Sequence, residues 1–302
     1  MSSPIGPEQL GELARWQIEQ GRHDPRMERV GAVTVGDFRA AVEEADRVRL
    51  LGIWGLHELS QAVSHERLRL GLEADQADCE PEHVSALQAA WERAQMAQAE
   101  IDNEYPHLNA TALVSLYSAL DALVEYLLVG ARDFFVNAYR EHLIRTLEDH
   151  PLPHLDAATR AKLVETAEDM VTEMLGLKDA TRLTLKSSGA TRYEEGLREV
   201  GLSAPPDRPI PPDLDEALQE VGALRDVWTH RAGRVDVRAL RQAPSLQDRY
   251  QKGQFIRFSR DDYRTYSAAL ACYGEEVIGR LMHPPENRVV LADWRSYCAL
   301  NA

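Results

Sequence analysis

The sequence has few cysteines, no long apolar run and no secretion leader. Cys79, Cys272 and Cys298 are the only cysteines among 302 residues. An odd, scattered set predicts neither a disulfide framework nor a zinc site. No unbroken apolar stretch approaches the roughly 20 residues that a membrane-spanning helix needs. The opening MSSPIGPEQL lacks the basic and then apolar pattern of a signal peptide. We therefore predict a cytoplasmic protein that does not engage a membrane.

Several well-known catalytic patterns are also missing. The sequence contains no phosphate-cradling glycine motif and no Ser-His-Asp pattern. His57 and His65 flank Glu58 in HELSQAVSH, but eight residues separate the two histidines. That spacing is not the His-Glu-x-x-His pattern of zinc hydrolases. We predict no metal site and no cofactor.

Positive charge is scarce in the chain as a whole. Lysine and arginine number 34 against 49 acidic residues, which gives a net charge of −15 and argues against broad, nonspecific binding of nucleic acid. The charge is unevenly spread, because residues 222–264 hold ten Lys or Arg and five Asp. This segment therefore carries +5, and the rest of the chain carries −20. Such a basic segment is either a chance cluster on solvated helices or a site for an anionic partner.

Strand patterns are rare, and helical periodicity dominates. The longest candidate helix covers 37–70, with Asp37 as its N-cap and with Gly52 and Gly55 as points of bending or breakage. Only residues 254–259 resemble a short strand. A second helix is predicted over 81–102, beginning at Pro81. Further helices are predicted over about 109–150, 156–176 and 190–200. The proline-rich connector SAPPDRPIPPDL follows, and helices are predicted after it over about 213–231 and 261–282. The expected fold class is all-α, built as a helical bundle.

One predicted helix is apolar enough to lie at the centre of the protein. In NATALVSLYSALDALVEYLL the leucines and valines recur at helical spacing, and Asn109 or Thr111 is expected to cap this helix. Ser118, Asp121 and Glu125 form a polar stripe along it. We favour an exposed polar face for this stripe. The alternative is that these side chains support a cleft.

The stretch VGALRDVWTHRAGRVD, residues 221–236, concentrates charge at a predicted helix end. One interpretation is structural. His230 and Arg231 complement the negative end of the helix dipole, and Asp226 and His230 form an ordinary pair four residues apart. Gly233 is well placed as the C′ residue that ends the helix. On this interpretation the segment is simply a well-built helix terminus.

The other interpretation is catalytic. Arg225 precedes His230 by five residues, about 140° around an ideal helix, so the two side chains can flank one groove. Histidine transfers protons near neutral pH, and arginine grips phosphate with its planar fork. RNA supplies its own nucleophile, the 2′-hydroxyl, so this pair meets the minimal needs of phosphodiester cleavage without a metal. Asp226 would hold the histidine or the arginine in place, and Trp228 is expected in the core.

The motif and its context resemble the HEPN superfamily. LRDVWTHRAGRVD has arginine, a polar residue, three further residues and then histidine at a helix end, as bacterial HEPN proteins do. The apolar helix LVSLYSALDALVEYLL, the proline-rich connector and the final helix DDYRTYSAALACYGEEVIGRL occur in the order expected of the family. The resemblance covers roughly residues 108–283, with insertion-like helices at about 138–200. It does not cover residues 1–107, which we expect to form an N-terminal helical region, or 284–302, which we expect to form a C-terminal tail.

The resemblance implies an activity and a set of site residues. Active HEPN members cleave RNA without a metal and leave a 2′,3′-cyclic phosphate, often as toxins or in phage defence. Carried over to this chain, Arg225 and His230 are the catalytic pair and Asp226 is the polar residue beside the arginine. Some members carry a modified tyrosine where this chain has Ala232, so that mode of control is not expected here.

The resemblance also implies partners. HEPN bundles dimerise so that two motifs face one composite cleft, which predicts a homodimer acting on RNA, and it leaves room for an antitoxin or defence-system partner protein. Arg231, Arg234 and Arg238 follow the motif and are expected to contact RNA phosphates. The competing expectation is a catalytically inactive HEPN-like module that binds a protein or a nucleic acid.

Overall fold

The computed structural model describes residues 25–70, 81–149, 188–199, 202–282 and 291–300, together with a few isolated positions between 156 and 162. These residues form helices almost throughout and contain no strand, which confirms the all-α fold class. The described helices are α1 (Pro25–Ser60), α2 (Ala62–Arg69), α3 (Pro81–Asp102), α4 (Pro106–Asp149), α5 (Gly189–Glu199), α6 (Pro212–His230), α7 (Val237–Gln242) and α8 (Arg260–Met282), with 3₁₀ helices at Pro244–Asp248 and Leu291–Leu300.

Helix α4 forms the centre of the core, as its sequence predicts. Its buried side chains follow a helical spacing and meet buried residues of α1, α5, α6 and α8. They include Leu113, Leu116, Leu120, Leu123, Val124, Leu127 and Leu128. Because apolar burial supplies most of the driving force for folding, the packing of the other helices against α4 positions the rest of the molecule.

Helix α1 packs against the same core across the boundary predicted at residue 107. A Cβ added to Gly274 of α8 would lie 2.2 Å from the Phe38 ring, so only glycine allows this close approach. The buried Arg49 donates from Nε to Asn109 Oδ1 at 2.7 Å. Arg39 makes a two-pronged ion pair with Glu275, with both contacts at 2.6 Å. The described part of the N-terminal helical region therefore shares one buried cluster with the helices that follow.

Several helix boundaries differ from the prediction. Asp37 is not an N-cap, because α1 already begins at Pro25, and the helix continues through Gly52 and Gly55 to end at Ser60. Asn109 and Thr111 are not caps either, because α4 begins at Pro106. The Asn109 amide instead donates to the backbone oxygens of Glu104 and Phe258 at 2.8 and 2.9 Å. Both helices begin at a proline, Pro25 and Pro106, which is favoured at the first helical position.

The other predicted segments have mixed outcomes. The helices predicted near 81–102, 190–200, 213–231 and 261–282 are present, and the proline-rich connector leads directly into α6 at Pro212. The strand-like segment 254–259 makes only an isolated bridge, between Phe255 and Arg234. Most of the helix predicted over 156–176, most of the insertion-like region and residues 284–290 and 301–302 of the C-terminal tail lie outside the described residues.

A buried polar cluster fixes α5 against α8. Glu194 Oε1 accepts from Arg280 Nη1 at 2.7 Å and from the Tyr273 hydroxyl at 2.8 Å. Glu194 Oε2 accepts from the Ala204 amide in the connector at 2.6 Å. Burial and the charge of Glu194 raise the pKa of Tyr273 well above its ordinary value. Because buried charges are costly unless they are paired, these contacts keep α5 in one position against α8.

The segment Pro106–Gly130 of α4 is long and apolar enough to cross a membrane by length and composition alone. This segment is not an unbroken apolar run, because polar residues interrupt its apolar residues. Half of the segment is buried inside the protein, where it forms the core described above. The cytoplasmic location stays a prediction.

Candidate functional site

Two residues with left-handed backbone, Ala232 and Gly233, follow the last turn of α6 closely. His230 is the last helical residue, and the amides of Arg231 and Gly233 both donate to the Val227 carbonyl, at 3.0 and 3.2 Å. Ala232 has φ +49° and Gly233 has φ +75°. Ala232, and not Gly233 as predicted, therefore follows the cap directly. The chain needs two successive left-handed residues to turn back sharply.

Besides its positive φ, a close contact with Phe255 requires glycine at position 233. A Cβ at this residue would lie 2.7 Å from the Phe255 ring. The Gly233 carbonyl accepts from the Ile256 amide at 2.8 Å, and the Val235 amide donates to Gln254 O at 2.9 Å. This pairing holds the segment after the motif against residues 253–256. It directs the chain into α7, which packs beside the last turns of α6.

Helix α7 begins at a strong N-cap. The Asp236 carboxylate accepts from the Ala239 amide at 2.8 Å and from Arg231 Nε at 3.2 Å. The hydrogen bond from the Ala239 amide, and then the charge and hydrogen bond of Arg231, overcome partial burial and lower the pKa of Asp236. Arg231 therefore links the end of α6 to the start of α7.

A pocket of about 140 Å³ lies between α6 and α7. Its apolar lining consists of Ala223 and Val227 from α6 and Ala239 from α7, all of them buried. Its polar lining comprises Asp226, His230, Arg231, Asp236, Arg238 and Gln242. His230 is exposed, and its ring has no hydrogen bond or ion pair with the described part of the chain. Two helices thus present an accessible imidazole, two arginines and two carboxylates to one small cavity.

Arg225 contributes to a different set of contacts, on the side of α6 that faces α4. Its Nη2 donates to Asp121 Oδ2 at 2.8 Å, and its Nη1 donates to Asp226 Oδ1 at 2.8 Å. The guanidinium lies 4.5 Å from the centroid of the Tyr117 ring. Only 19% of the side chain is exposed. Its Nε is buried and lacks a partner within the described ranges.

Asp121 gathers further partners around Arg225. Arg192 of α5 donates from Nη2 to Asp121 Oδ2 at 3.3 Å and from Nη1 to the Tyr117 hydroxyl at 3.4 Å. The Tyr193 hydroxyl donates to Asp121 Oδ1 at 2.9 Å. Burial, and then the neighbouring Tyr117 and Asp121, raise the pKa of Tyr193 well above its ordinary value. We refer to Tyr117, Asp121, Arg192, Tyr193 and Arg225 as the Asp121 cluster.

The charges around Asp121 affect the pKa values of Arg192 and Tyr117. Burial disfavours the charge of Arg192, but Tyr117 and Asp121 outweigh that effect and raise the pKa of Arg192. Burial and the charge of Asp121 likewise raise the pKa of Tyr117, so its hydroxyl stays protonated and polar. Arg192 and Arg225 face one carboxylate oxygen of Asp121, and Asp226 adds a second negative charge beside Arg225, so the two positive charges are matched by two negative ones.

The predicted catalytic residues are therefore connected but do not share one cavity. Asp226 joins them, because it accepts from Arg225 and also lines the pocket with His230. This places Asp226 beside the arginine, one of the two roles proposed from the sequence. In a single chain the Arg225 guanidinium is directed towards α4 and not into the pocket.

The predicted RNA-binding arginines divide into two groups. Arg231 and Arg238 line the pocket with His230. Arg234 instead donates from Nη1 to Gly253 O at 3.3 Å on the chain segment that pairs with the motif. All three residues are exposed. The structure thus places Arg238 and Arg231 beside the histidine and leaves Arg234 on a neighbouring surface.

Among the polar residues of α4, the favoured interpretation is wrong for Asp121. Ser118 and Glu125 are exposed, as expected for a polar face. Asp121 is 17% exposed and binds Arg225, so it does not belong to the exposed face. That it supports a cleft stays a prediction. Sequence reasoning missed Arg192, Tyr117 and Gln242. Arg192 and Tyr193 follow each other in a short amphipathic helix, and no local pattern marks them as neighbours of residue 225.

Trp228 is only partly buried but packs against the core, in line with its predicted core role. Its ring centroid lies 5.6 Å from that of His107, 6.1 Å from Phe255 and 6.3 Å from Phe258, all in edge-on arrangements. Such aromatic contacts stabilise beyond the burial of area. They hold the last turn of α6 in place.

No group of three His, Cys, Asp or Glu side chains that could hold a metal ion occurs within the described ranges. The chemistry available at the site is proton transfer by an exposed imidazole, charge stabilisation by arginines and orientation by Asp226. No protein-family model, curated protein or solved structure matches the chain.

Proposed function

We propose that this protein is a metal-independent endoribonuclease of the HEPN type, with His230 and Arg225 as catalytic residues and a second copy of the chain as its partner. One observation supports this proposal above the others: the motif histidine is exposed at a cavity with two arginines, and Asp226, which pairs with the motif arginine, lines the same cavity. The sequence resemblance supplies the reaction class. The toxin or phage-defence role belongs to the same proposal.

The proposed reaction uses groups that this site offers. The 2′-hydroxyl of RNA attacks the adjacent phosphorus, the bond to the 5′-oxygen breaks, and the proton moves from the 2′-oxygen to the leaving oxygen through a protein or solvent group. His230 is the group positioned to carry such a proton. Arg225 and Arg238 stabilise the charge that builds up on the phosphoryl oxygens. The products are a 2′,3′-cyclic phosphate and a 5′-hydroxyl.

A single chain has too few proton-carrying groups for this reaction. Acid and base steps need two proton carriers, whereas one motif presents one histidine. A two-fold axis near the end of α6 would supply the second histidine, because each copy of a symmetric dimer presents the same patch. In that arrangement Asp121 and Asp226 orient the Arg225 guanidinium of each chain before the substrate binds.

One observation favours the second candidate function, an inactive HEPN-like binding module. Both terminal nitrogens of Arg225 are already paired with carboxylates, at 2.8 Å each, and its side chain is largely buried. A structural arginine that ties α6 to α4 would have the same contacts. For catalysis, a phosphate oxygen would have to displace Asp226 from Nη1 or approach Arg225 from the partner chain.

RNA cleavage by matched variants tests the proposal. Wild type, His230→Ala and Arg225→Lys would be incubated with total RNA in EDTA, with melting temperature recorded for each. We expect His230→Ala to lose about 10²–10⁴-fold in rate at unchanged stability, because it removes a proton carrier from an exposed position. Arg225→Lys retains the charge but loses the planar fork and should be severely impaired. Arg93→Ala, an exposed change on α3, is the control.

The products and the variants together separate the two candidates. Fragments ending in a 2′,3′-cyclic phosphate support attack by the 2′-hydroxyl. Cleavage by His230→Ala at the wild-type rate would end the catalytic role of this residue. A wild-type protein that binds RNA but leaves it intact at every concentration supports the inactive module.

A further inference from the structure

The segment that pairs with the chain after the motif carries an aromatic ring at the surface. Phe255 is 41% exposed, whereas Ile256 and Phe258 are almost completely buried. Exposed and buried side chains alternate from 255 to 258, as they do in an extended chain with one face on the core. Phe255 and Arg257 therefore lie together on the solvent face of this segment.

An antiparallel bridge places Arg234 beside the same ring. Backbone hydrogen bonds of 2.8 and 2.9 Å lie on either side of the bridge between Arg234 and Phe255, so these two residues form a non-hydrogen-bonded pair. The side chains of such a pair lie on the same face of the chain, and their Cα atoms are roughly 4.5 Å apart. The exposed ring therefore has an arginine across from it and another two residues further along.

Both arginines keep their positive charge uncompensated. Arg234 Nη1 donates to Gly253 O at 3.3 Å, and Arg257 Nη1 donates to Asn103 Oδ1 at 3.1 Å, so both acceptors are neutral. Both side chains are exposed, and neither makes an ion pair with the residues that the structure describes. The segment 251–260 contains three cations and no acid: Lys252, Arg257 and Arg260. The surface around the ring is suited to an anionic partner.

Acidic side chains hydrogen-bond to the far end of this segment. Glu104 accepts from the Arg260 amide at 3.2 Å, and Asp262 accepts from the Ser259 amide at 2.9 Å. The Asp262 carboxylate also pairs with Arg249, so its charge is matched. Within the described ranges, the acids that hydrogen-bond to the segment do so at its last two residues and leave the ring flanked by cations.

The ring is held in place from the protein side. The Trp228 ring meets it edge-on, with 6.1 Å between the centroids and 65° between the planes. One edge of the Phe255 ring covers Gly233, where a Cβ would lie only 2.7 Å away. A ring fixed in this way loses little conformational freedom when a ligand stacks on it. Because Gly233 follows His230 by three residues, the ring lies close to the motif along the chain.

We propose that Phe255, Arg234 and Arg257 form a stacking platform for single-stranded nucleic acid, in which one base stacks on the Phe255 ring and the two arginines contact the neighbouring phosphates. Aromatic rings flanked by cations bind single strands in this way with little dependence on sequence. The inference rests on the proposed function in that the strand is the RNA substrate. Since only an unpaired base can stack on a side chain, the substrate class is single-stranded or looped RNA.

Equilibrium binding of a labelled, 2′-O-methylated decauridylate to the full chain tests the platform, because this RNA lacks the attacking hydroxyl and cannot be cleaved. Phe255→Leu should weaken binding at least about fivefold, the lower end of the effect of losing one stacked base, at an unchanged salt dependence. Arg234→Gln and Arg257→Gln should each weaken binding and reduce the slope of log affinity against log salt by about 0.7. Trp91→Leu and Arg93→Gln, exposed changes on α3, are the matched controls.

Further variants separate stacking from folding. Phe255→Tyr keeps the ring and its contacts with Trp228 and Gly233, so it should bind within about twofold of wild type and melt at the same temperature. If Phe255→Leu lowers the melting temperature, Arg257→Gln decides, because that side chain is exposed and bonds only to Asn103 within the described part of the chain. Arg257→Gln with the affinity and salt slope of wild type would overturn the platform. So would a 2′-O-methylated duplex that binds as tightly as the single strand.

The outcome is separable from that of the cleavage experiment. If the single strand binds through Phe255 but the wild type never cleaves RNA, the platform stands and the ribonuclease proposal fails. If the wild type cleaves RNA but the Phe255 and arginine variants bind the decauridylate like wild type, the ribonuclease proposal stands and the platform fails.

Discussion

Asp121 shows how one carboxylate organises several cations. Its Oδ2 accepts from both Arg225 and Arg192, and its Oδ1 accepts from Tyr193. Because the carboxylate is only 17% exposed, solvent cannot easily replace any of these partners. The orientation of Arg225 therefore depends on a residue of another helix.

Asp121→Asn should destabilise the protein by about 1–3 kcal/mol, because it leaves two partly buried arginines with one negative partner fewer. If Arg225 is catalytic, the variant should also lose RNA cleavage, since the guanidinium is no longer held in place. Glu125→Gln lies one turn further along the same helix and is exposed, so its free energy of unfolding should stay within about 0.5 kcal/mol of wild type. Urea unfolding of both variants provides the comparison, and equal stabilities would refute the role of Asp121.

Ala232 and Gly233, which follow the motif, allow alanine and glycine to be compared in the same backbone conformation. Both have positive φ, at +49° and +75°, but only Gly233 lacks a Cβ. A left-handed conformation costs an L residue roughly 1–2 kcal/mol, and glycine adds entropy to the unfolded chain. We expect Ala232→Gly to raise stability by up to about 1 kcal/mol and Gly233→Ala to lower it by more than about 1 kcal/mol, through both φ and the Phe255 contact. Thermal unfolding measures both changes, and two shifts of the same sign would contradict this account.

At the scale of the secondary-structure element, α7 depends on its cap. The helix has only six residues, too few to be stable alone, so the hydrogen bond from the Ala239 amide to Asp236 adds to its packing against α6. The position of α7 in turn decides whether Arg238 and Gln242 reach the pocket beside α6.

Asp236→Ala should cost about 1 kcal/mol of stability at pH 7. The pKa of Asp236 is lowered in the folded protein, so its contribution is complete above the ordinary pKa of an aspartate and is lost as the pH falls through the lowered value. The difference between variant and wild type should therefore shrink below about pH 4. Urea unfolding at pH 7 and at pH 3 measures this effect, and a difference that is independent of pH would mean that the carboxylate charge is not what stabilises the cap.

At the scale of the whole molecule, the charge is divided between two regions. The segment 222–264 that contains the motif carries a local excess of five positive charges on a chain of net charge −15. An anionic partner would be attracted to the exposed cations of this segment and repelled by the acidic remainder, which favours local binding over coating. The arginines at and beside the pocket lie in this segment.

We expect the active protein to be a dimer at micromolar concentration, because one motif supplies a single histidine for a reaction with two proton transfers. Light scattering reports the mass, and the chain alone is 33.9 kDa. The cleavage rate per chain should fall on dilution through the dissociation range. A monomer that cleaves RNA with an undiminished rate per chain would rule out the composite site. Exposed His230 side chains on opposite faces of a dimer would also contradict it.

Local signals in the sequence determined the helices and the chemical character of the motif. The apolar spacing of α4, the proline entry to α6 at Pro212 and the residues Arg225, Asp226 and His230 can all be read along the chain, because helical neighbours are set by spacing. The role of Asn109 and the exact end of α6 could not be predicted in this way. A hydrogen bond to the distant Phe258 carbonyl decides the first, and two residues with positive φ decide the second.

Only the tertiary structure decided which side chains meet across helices. Asp121 lies 104 residues before Arg225, and Arg192 comes from a third helix, yet all three share one hydrogen-bonding cluster. The same packing places α7 beside α6 and so brings Arg238 and Gln242 to the cavity of His230. Spacing along one helix fixes the face on which a residue lies, but the residue opposite that face depends on how the helices bury their apolar sides together.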